Sequence, residues 1–533
     1  MKSYFSLTVL ALFLPATMLC YQLMPRRLRW LVLLAASYIF FWSISGKLLV
    51  FLLISTGTIW LAGIGLDRLL RERASRLRAP GANRRDIKRR YARYMRFVLA
   101  AGLVVNLSML FAFKYLGFAR RLLAPLATPL LAHAGITFPQ EAISLAAPIG
   151  ISFYTLQAVS YLIDVHRQSI SADRNPARLA LFLSFFPLIM EGPICRYGDT
   201  AQALWAGRPI TAENISCGGM RILWGLAKKV IVADRVNLLV KTVFEQYGSY
   251  DGGVIALAAV LYTVQLYCDF SGTMDFVMGC GRIFGVTLPE NFKQPYLSRT
   301  ASEFWQRWHI TLGTWFRDYV FYPLSLSKPV KRLTSAARKA FGNRMGPLAA
   351  SGVALLAVWL GNGLWHGAGG QYVLFGLFWF VAIWIGGLTE PFAQALCARL
   401  RIDRASMPYR MLQHVRTLAI IFVGELIFRA QGGSAALGML GKLFGGFTLE
   451  SFANGTVLGL GMDAADFVCV GIAVAVIVAV GILRECGVSL TTWLWNHNAV
   501  TWSAAVCALA IIAVIFGAYG AGYVPVDPMY ASF

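Results

Sequence analysis

Long apolar segments recur along the chain and are separated by short polar or charged stretches. Several of them, such as 48–66, 348–366 and 411–429, are close to the length that an α-helix needs to cross the hydrocarbon core of a bilayer. They run through the whole sequence instead of standing once at one end. We therefore predict an all-α polytopic membrane protein with about eleven transmembrane helices.

Residues 286–325 interrupt this pattern with an aromatic-rich, charged segment that cannot lie in lipid as a simple span. We predict that it forms interfacial or re-entrant helices. The rest of the chain shows no composition shift of the kind that separates soluble domains. We therefore treat 1–533 as a single integral-membrane domain.

The composition agrees with a bilayer as the solvent, since 57% of the 533 residues are hydrophobic and only 14% are charged. The net charge of +24 raises the question of a nucleic-acid partner. However, the basic residues cluster beside apolar segments, as the positive-inside rule predicts for cytoplasmic loops. Twelve lysines and arginines but only two acids lie between Arg68 and Arg96. We predict cytoplasmic basic loops at 67–96 and 326–346, and no nucleic-acid partner.

The nine cysteines lie mostly within apolar segments and form neither a Cys-x-x-Cys pair nor a Cys/His cluster with metal-ligand spacing. They are typical of small buried hydrophobic residues. We predict no metal site.

His366 is the first candidate for chemistry. It is the only histidine in a 43-residue stretch, Pro347–Thr389, that contains no Asp, Glu, Lys or Arg. An ionisable ring at membrane depth is costly and usually marks function, and desolvation favours the neutral imidazole that a general base needs. The structural alternative is a histidine that ties two helices together by a hydrogen bond.

Glycines surround this histidine at 361, 363, 367, 369 and 370. They would allow a close approach of the backbone to a substrate, or they would break the helix at the site. Equally, they are the small residues that close helix packing requires.

His309 is the second candidate. If 303–318 is one continuous helix, a polar stripe on one face contains Glu303, Arg307, Thr311, Thr314 and Asp318. His309 then points roughly 160° away, onto the apolar face that carries Leu312, Phe316 and Val320. An active-site role and a histidine that packs on aromatic rings and donates to a carbonyl are equally compatible with this position.

Six neighbours of the two histidines are candidates for substrate binding: Trp305, Trp308, Arg317, Asp318, Asn362 and Trp365. Arg317 and Asp318 are adjacent and are more often an interfacial salt bridge than a substrate clamp. Glu303 and Arg307 have the i, i+4 spacing of a pair on a helix surface.

The sequence resembles the membrane-bound O-acyltransferase family, in the bacterial branch that holds alginate and peptidoglycan O-acetyltransferases and teichoic-acid D-alanyl transferases. The resemblance covers most of the chain. It rests on these segments, in order: Pro148–Gln157, Tyr161–Asp164, Asp269–Gly272, Pro289–Phe292, Pro295–Tyr296, Ser298–Arg299, Glu303–Trp305, Arg307–His309, Trp315–Tyr319, Trp365–Gly367 and Phe428–Ala430.

The resemblance implies that His366 is the principal catalytic histidine and that His309 is the second polar residue of the active site. It also implies a helix bundle around a central funnel, in which a cytoplasmic thioester donor and an acceptor from outside meet. No cofactor would be tightly bound, and the donor co-substrate would be acetyl coenzyme A or an acylated carrier protein, both anionic and suited to basic cytoplasmic loops.

The expected function is transfer of an acyl group, acetyl first, for O-acylation of a cell-envelope polysaccharide, from the bacterial inner membrane and with an extracytoplasmic acyltransferase- or esterase-like partner. D-alanyl transfer from a phosphopantetheine carrier to teichoic acid is the alternative. A transporter or flippase is a more distant alternative, because it would show symmetry between two halves and ionisable residues on several spans. Besides the partner and a possible carrier, we expect contacts with membrane lipids.

Overall fold

The computed structural model describes residues 4–120, 123–124, 147–519 and 526. In these ranges the chain forms helices joined by short connections, and no strand is present. The predicted all-α fold class is therefore confirmed. The chain divides into two compact units.

In the part of the chain that the structure describes, the first unit consists of residues 4–120, 123–124, 147–219 and 277–289. A π-helical turn, Thr8–Phe13, leads into its first α-helix. Its helices are α1 (Leu14–Leu23), α2 (Arg29–Ser45), α3 (Leu49–Arg78), α4 (Arg84–Lys114), α5 (Ile151–Arg167), α6 (Pro176–Ser184), α7 (Phe186–Ile189), α8 (Tyr197–Trp205) and the start of α9 (Ala212–Ala227).

The described residues of the second unit are 220–276, 290–519 and 526. A π-helical turn, Lys228–Ala233, follows α9, and a second one, Arg317–Phe321, follows α13. The remaining helices are α10 (Asp234–Glu245), α11 (Gly252–Ile283), α12 (Ala301–Arg307), α13 (Ile310–Phe316), α14 (Tyr322–Ser325), α15 (Lys328–His366), α16 (Gly370–Arg399), α17 (Met407–Arg429), α18 (Gly433–Gly445), α19 (Glu450–Ala453), α20 (Ala464–Glu485), α21 (Leu490–His497) and α22 (Ala499–Phe516).

Eight helical segments of the described chain are long and apolar enough to cross a membrane. Here Arg29–Arg78, which contains α2 and α3, counts as one segment. The estimate of about eleven spans is therefore not confirmed. The apolar segment 178–192 does not form one continuous helix, because α6 ends at Ser184. Pro187 follows shortly afterwards, and a proline ring there would clash with the carbonyl of the preceding turn if the helix continued.

The two basic segments are helical and not loops. α3 continues to Arg78 and α4 begins at Arg84, so only residues 79–83 connect them. The second basic segment forms the first part of α15, which changes direction at Gly342, where φ is 77°. Arginine and lysine are good helix formers, so a charged sequence can extend a membrane helix into water. The cytoplasmic placement of both segments stays a prediction.

In the second unit, α15 and α16 form an antiparallel hairpin that holds His366 at its turn. The two helices cross closely at two glycines. A Cβ at Gly363 would lie 2.2 Å from the Tyr372 carbonyl oxygen, and one at Gly376 would lie 2.5 Å from the Trp359 carbonyl oxygen. Only glycine permits this approach, which fixes the end of α15 against α16.

An aromatic cluster fills the core beside this hairpin. Phe304 stacks on Trp379 at 5.5 Å between ring centroids, and Trp305 meets Trp359 edge-on at 4.7 Å. Trp379 is fully buried. Edge-to-face and offset-stacked rings add to the apolar area that they bury, so α12 is held firmly against α15 and α16.

Candidate active site

His366 is the last residue of α15, and α16 begins four residues later at Gly370. Gly367 adopts φ 173° and ψ 171°, which ends the helix at the histidine. The glycines thus have both predicted roles, since Gly367 stands at the helix break and Gly363 permits close packing. The imidazole is only 4% exposed. It packs edge-on against Phe428 at 4.9 Å and against Phe375 at 5.9 Å between centroids.

His309 lies at a break between two short helices. α12 ends at Arg307 and α13 begins at Ile310, while His309 itself has φ 46° and ψ 49°, in the left-handed region. Residues 303–318 therefore do not form the one continuous helix that the polar stripe assumed. The break arises because the preceding strand-like segment pairs with it: Lys293 N–H donates to the Arg307 carbonyl and Ile310 N–H donates to the Asn291 carbonyl. His309 is nevertheless buried, as predicted, at 1% exposure.

Asn291 orients the His309 ring. Its Oδ1 accepts hydrogen bonds from the Thr311 backbone N–H at 3.0 Å and from the Thr311 hydroxyl at 2.9 Å. Both atoms of the amide face His309 Nδ1, with Nδ2 at 3.3 Å and Oδ1 at 3.4 Å. Nδ1 can accept from the amide nitrogen or donate to the amide oxygen, so the contact holds the ring in either tautomer.

Burial also determines the charge of His309. Loss of hydration lowers the pKa of His309 to about 3. The ring is therefore neutral at neutral pH. A neutral imidazole still carries one N–H and is a hydrogen-bond donor.

The two histidine rings are neighbours. Their centroids are 6.4 Å apart, and Trp365 contacts both, at 5.5 Å from His309 and 4.9 Å from His366. Phe270 covers the other side of His309 at 4.9 Å. The pair thus lies in an aromatic enclosure in which electrostatic interactions are stronger than in water.

Three of the six predicted substrate-binding residues line one cavity of ≈ 520 Å³. These are Trp305, Asn362 and Arg317. Asn362 is one helical turn before His366, and both its Oδ1 and the indole Nε1 of Trp305 are buried without a hydrogen-bond partner among the described residues. Unpaired buried polar atoms of this kind are costly and suit a site that receives a polar ligand.

The other three residues have different surroundings. Trp365 lies between the two histidines, as described above. Trp308 packs on Phe292 at 4.9 Å and on Phe304 at 5.5 Å, within the aromatic cluster and outside the lining of the cavity. Asp318 pairs with Arg317 at 2.9 Å, which is the predicted salt bridge. Whether any of the six binds substrate stays a prediction.

A second cavity of ≈ 680 Å³ adjoins the first and shares Ser302, Leu355 and Ile383 with it. It reaches Leu348 at the start of the apolar part of α15, and Glu390 and Arg416 stand at the same end. Together the cavities follow α15 from Leu348 to Asn362, which is about 21 Å of helix. They end at Asn362, one helical turn before His366, and neither His366 nor His309 is among the residues that line them.

Known proteins match this chain along most of its length. The family model of the membrane-bound O-acyltransferases matches residues 151–340. A probable alginate O-acetylase AlgI of Azotobacter vinelandii is 34% identical over 444 residues, covering 83% of this chain and 78% of that protein. The chain belongs to the membrane-bound O-acyltransferase family. The protein is thus an acyltransferase and a multi-pass membrane protein, and its bacterial relatives indicate the inner membrane.

Two further relatives represent the other branches named in the sequence analysis. The peptidoglycan O-acetyltransferase of Helicobacter pylori is 29% identical over 380 residues, covering 66% of this chain and 65% of that protein. The teichoic acid D-alanyltransferase of Bacillus subtilis is 30% identical over 256 residues, covering 47% of this chain and 61% of that protein. The predicted family and branch are confirmed. Because the chain belongs to an acyltransferase family, the transporter or flippase alternative is set aside.

The acyltransferase contains a buried charge network that sequence reasoning did not assign to the site. Lys228 binds Asp275 at 2.6 Å, and Lys229 binds Asp269 at 2.8 Å. Asp269 immediately precedes Phe270, the residue that packs on His309. The network therefore supports the part of α11 that lies behind the second histidine. Two consecutive lysines within the apolar segment 216–233 were the signal that could have revealed it.

The sequence analysis also did not identify Asn291 and Glu425 as residues near the site. Asn291 stands in the recognised segment Pro289–Phe292, but nothing in the sequence pairs it with a histidine 18 positions later. Glu425 is 2% exposed within α17, one turn before Phe428, which contacts His366. An acid inside an apolar span is a functional-site signal that was available from the sequence.

The described residues were also compared with the requirements of a metal site. Among the described residues, no group of three or more His, Cys, Asp or Glu side chains is arranged to hold a metal ion. The acyl donor of this family is a co-substrate. The residues that line the cavities are therefore the candidates for contact with this acyl donor.

Proposed function

We propose that this acyltransferase moves an acetyl group from a cytoplasmic thioester to a hydroxyl group destined for a cell-envelope polysaccharide. His366 acts as the general base, and His309 donates a hydrogen bond to the carbonyl oxygen of the thioester. The observation that carries the proposal is the enclosed pair of imidazoles, 6.4 Å apart, one helical turn from a cavity that Asn362 lines.

The proposed reaction is a balanced acyl transfer. The acceptor O–H gives its proton to a neutral nitrogen of His366 while the oxygen forms a bond to the thioester carbonyl carbon. The tetrahedral intermediate carries its negative charge on the former carbonyl oxygen, which His309 stabilises by donating a hydrogen bond in the tautomer that carries the proton on Nε2. The C–S bond then breaks, and the imidazolium of His366 returns the proton to the leaving thiolate. The products are an ester and a free thiol.

The donor enters, in this proposal, from the predicted cytoplasmic side. A long, narrow pantetheine thioester suits two adjoining cavities that extend over about 21 Å of α15. The basic first part of α15, with six lysines and arginines between Lys328 and Arg344, attracts the phosphates of coenzyme A or the acidic surface of a carrier protein. Asn362 and Trp305 would meet the polar atoms of the donor near the reacting carbonyl.

The acceptor reaches His366 from the opposite side. The similarity to probable alginate O-acetylases and to a peptidoglycan O-acetyltransferase supports a polysaccharide of the cell envelope as the final acceptor. We propose that an extracytoplasmic acyltransferase- or esterase-like partner completes the transfer, because a polymer chain is far bulkier than the enclosed site.

The test uses purified full-length protein in lipid nanodiscs and acetyl coenzyme A labelled in the acetyl group. Acetyl transfer to an envelope polysaccharide fraction, supplied together with the extracytoplasmic partner, and release of free thiol are measured together. We expect His366→Ala to lower the rate by at least about 10²-fold, and His309→Gln to lower it by about 10²-fold. Unchanged transfer by folded His309→Gln protein would remove His309 from the mechanism, and unchanged transfer by His366→Ala would remove the mechanism itself.

The same assay separates acetyl transfer from its alternative. The similarity to a teichoic acid D-alanyltransferase covers 47% of the chain and leaves D-alanine on a phosphopantetheine carrier as a second donor. A carrier protein charged with labelled D-alanine is therefore supplied in a parallel reaction. Transfer from that carrier, with none from acetyl coenzyme A, would show that the protein transfers D-alanine instead of acetyl. The proposed roles of His366 and His309 would stay the same.

A further inference from the structure

The hairpin of α3 and α4 carries a basic groove that no part of the proposed reaction uses. Both helices belong to the first unit and run antiparallel. Ser55 donates to Asn106 at 2.5 Å within their apolar halves, and Tyr91 contacts Glu72 at 3.5 Å within their charged halves. The groove lies between the charged halves and has a volume of ≈ 870 Å³.

The charges of the groove are unbalanced. Four arginines line it: Arg76, Arg89, Arg90 and Arg93. Its two carboxylates are already engaged, because Glu72 pairs with Arg68 at 3.2 Å and Asp86 accepts from the Asn83 amide at 2.6 Å. Arg76, Arg89 and Arg93 form no ion pair with any described carboxylate. Their charges are available to an external anion.

The height of the groove above the apolar part of the hairpin indicates what that anion is. The apolar part of α4 begins at Phe97. At 1.5 Å per residue, Tyr94 and Arg93 lie about 5 Å beyond it and Arg90 about 10 Å beyond it. The headgroup layer of a bilayer occupies roughly the first 5–8 Å outside the hydrocarbon core. The inner end of the groove is therefore at the level of phospholipid phosphates.

An exposed stripe on α4 continues from the groove into the apolar zone. Below Arg90, the exposed positions follow one another at helical spacing: Tyr94, Phe97, Ala101, Val104, Ser108 and Phe111. Phe97 is 74% exposed and Val104 is 61% exposed. A basic and aromatic upper end above an apolar strip matches the two parts of a lipid molecule.

We propose that the α3–α4 groove is a binding site for an anionic phospholipid. The phosphodiester lies against Arg90 and Arg93, where guanidinium groups can bind phosphate oxygens in pairs. The acyl chains follow the stripe from Phe97 to Phe111. Tyr94, whose hydroxyl accepts from Arg90 Nε at 2.8 Å, holds this arginine at the boundary between the two parts.

The test compares two double variants with the same loss of charge on the same helix. Arg90→Gln with Arg93→Gln removes the proposed phosphate ligands. Arg84→Gln with Arg85→Gln is the matched control, because these residues precede the groove and do not line it. Lipid binding to purified full-length protein is measured by native mass spectrometry, with phosphatidylglycerol, cardiolipin and zwitterionic phosphatidylethanolamine titrated separately.

We expect wild-type protein and the control to bind phosphatidylglycerol or cardiolipin at least about tenfold more tightly than phosphatidylethanolamine. The groove variant should lose this preference, and Arg90→Lys with Arg93→Lys should restore part of it. Equal losses in both Gln variants would overturn the proposal in favour of nonspecific charge attraction. Displacement of the bound lipid by coenzyme A at matched phosphate concentration would overturn it in favour of a donor site, and each variant is checked for an unchanged unfolding temperature.

Discussion

At the scale of single residues, the site depends on how one amide holds one ring. Asn291 binds Thr311 through its carbonyl oxygen and faces His309 Nδ1 with its amide group, so the imidazole has a defined orientation. Removal of one precisely placed donor from an oxyanion site typically costs a factor of about 10²–10³ in kcat. The orientation of His309 should therefore be visible in the kinetics.

We predict that Asn291→Ala lowers kcat by about 10–100-fold and changes KM for the thioester by less than about threefold, because it disorients a group that acts on the transition state. Steady-state rates in nanodiscs measure both constants. Asn454→Ala, at an exposed position in the same unit, is the control and should leave both unchanged. A rise in KM with constant kcat would show instead that Asn291 serves donor binding.

The buried neutral state of His309 has a consequence for stability. Its folded pKa of about 3 lies below the ordinary histidine value of 6.5, so between these values only the unfolded chain takes up the proton. His309 should therefore destabilise the fold increasingly as pH falls from 6.5 towards 3, and have no such effect above 6.5.

We predict that His309→Gln reduces the loss of stability between pH 7 and pH 4.5, measured as the unfolding temperature in detergent. His497→Gln removes an exposed histidine and should keep the slope of the wild type. The same slope in all three proteins would contradict a depressed His309 pKa.

At the scale of secondary-structure elements, the turn between α15 and α16 is what places His366. The hairpin closes because Gly363 and Gly376 let the two backbones approach within van der Waals distance. Gly386, on the same helix as Gly376, has no atom within 4 Å of the position of a Cβ. These two glycines offer a direct comparison of packing and intrinsic helix propensity.

We predict that Gly376→Ala destabilises the protein by about 1–3 kcal/mol, because the new methyl group meets the Trp359 carbonyl. Gly386→Ala should be neutral or stabilise by up to about 1 kcal/mol, because alanine favours the helix. Equilibrium unfolding in mixed detergent measures both. Equal effects of the two substitutions would mean that α15 and α16 do not cross closely at Gly376.

At the scale of the whole molecule, the proposal depends on an open route between the basic end of α15 and His366. Leu355 lines both cavities, while Val353, two residues earlier, is 45% exposed and lines neither. A large side chain at position 355 would therefore block the route, and the same side chain at position 353 is the control on the same helix.

We predict that Leu355→Trp lowers kcat/KM for the thioester donor at least about tenfold, because the indole fills the junction of the cavities. Val353→Trp should leave it within about twofold of the wild type, and both variants should keep the unfolding temperature. If the indole at position 355 leaves transfer unchanged, the donor does not use these cavities.

The sequence by itself determined the class of fold and the identity of the main candidate. Hydrophobicity in a bilayer is a local property of consecutive residues, so long apolar segments and their basic flanks could be recognised without knowledge of packing. A histidine without any charged neighbour for 43 residues was visible for the same reason. The ordered motifs then indicated the family.

Only the tertiary structure decided how the site is assembled. The break at His309 depends on hydrogen bonds from residues 291–293, and the partnership of Asn291 with that ring joins positions 18 apart. The polar stripe over 303–318 assumed a continuous helix, because hydrogen bonds to another backbone segment cannot be deduced from the local sequence. Likewise, the cavities along α15 exist between elements, so no single segment encodes them. Distances between side chains arise from packing, which is why the 6.4 Å separation of the two imidazoles could only be measured in the folded chain.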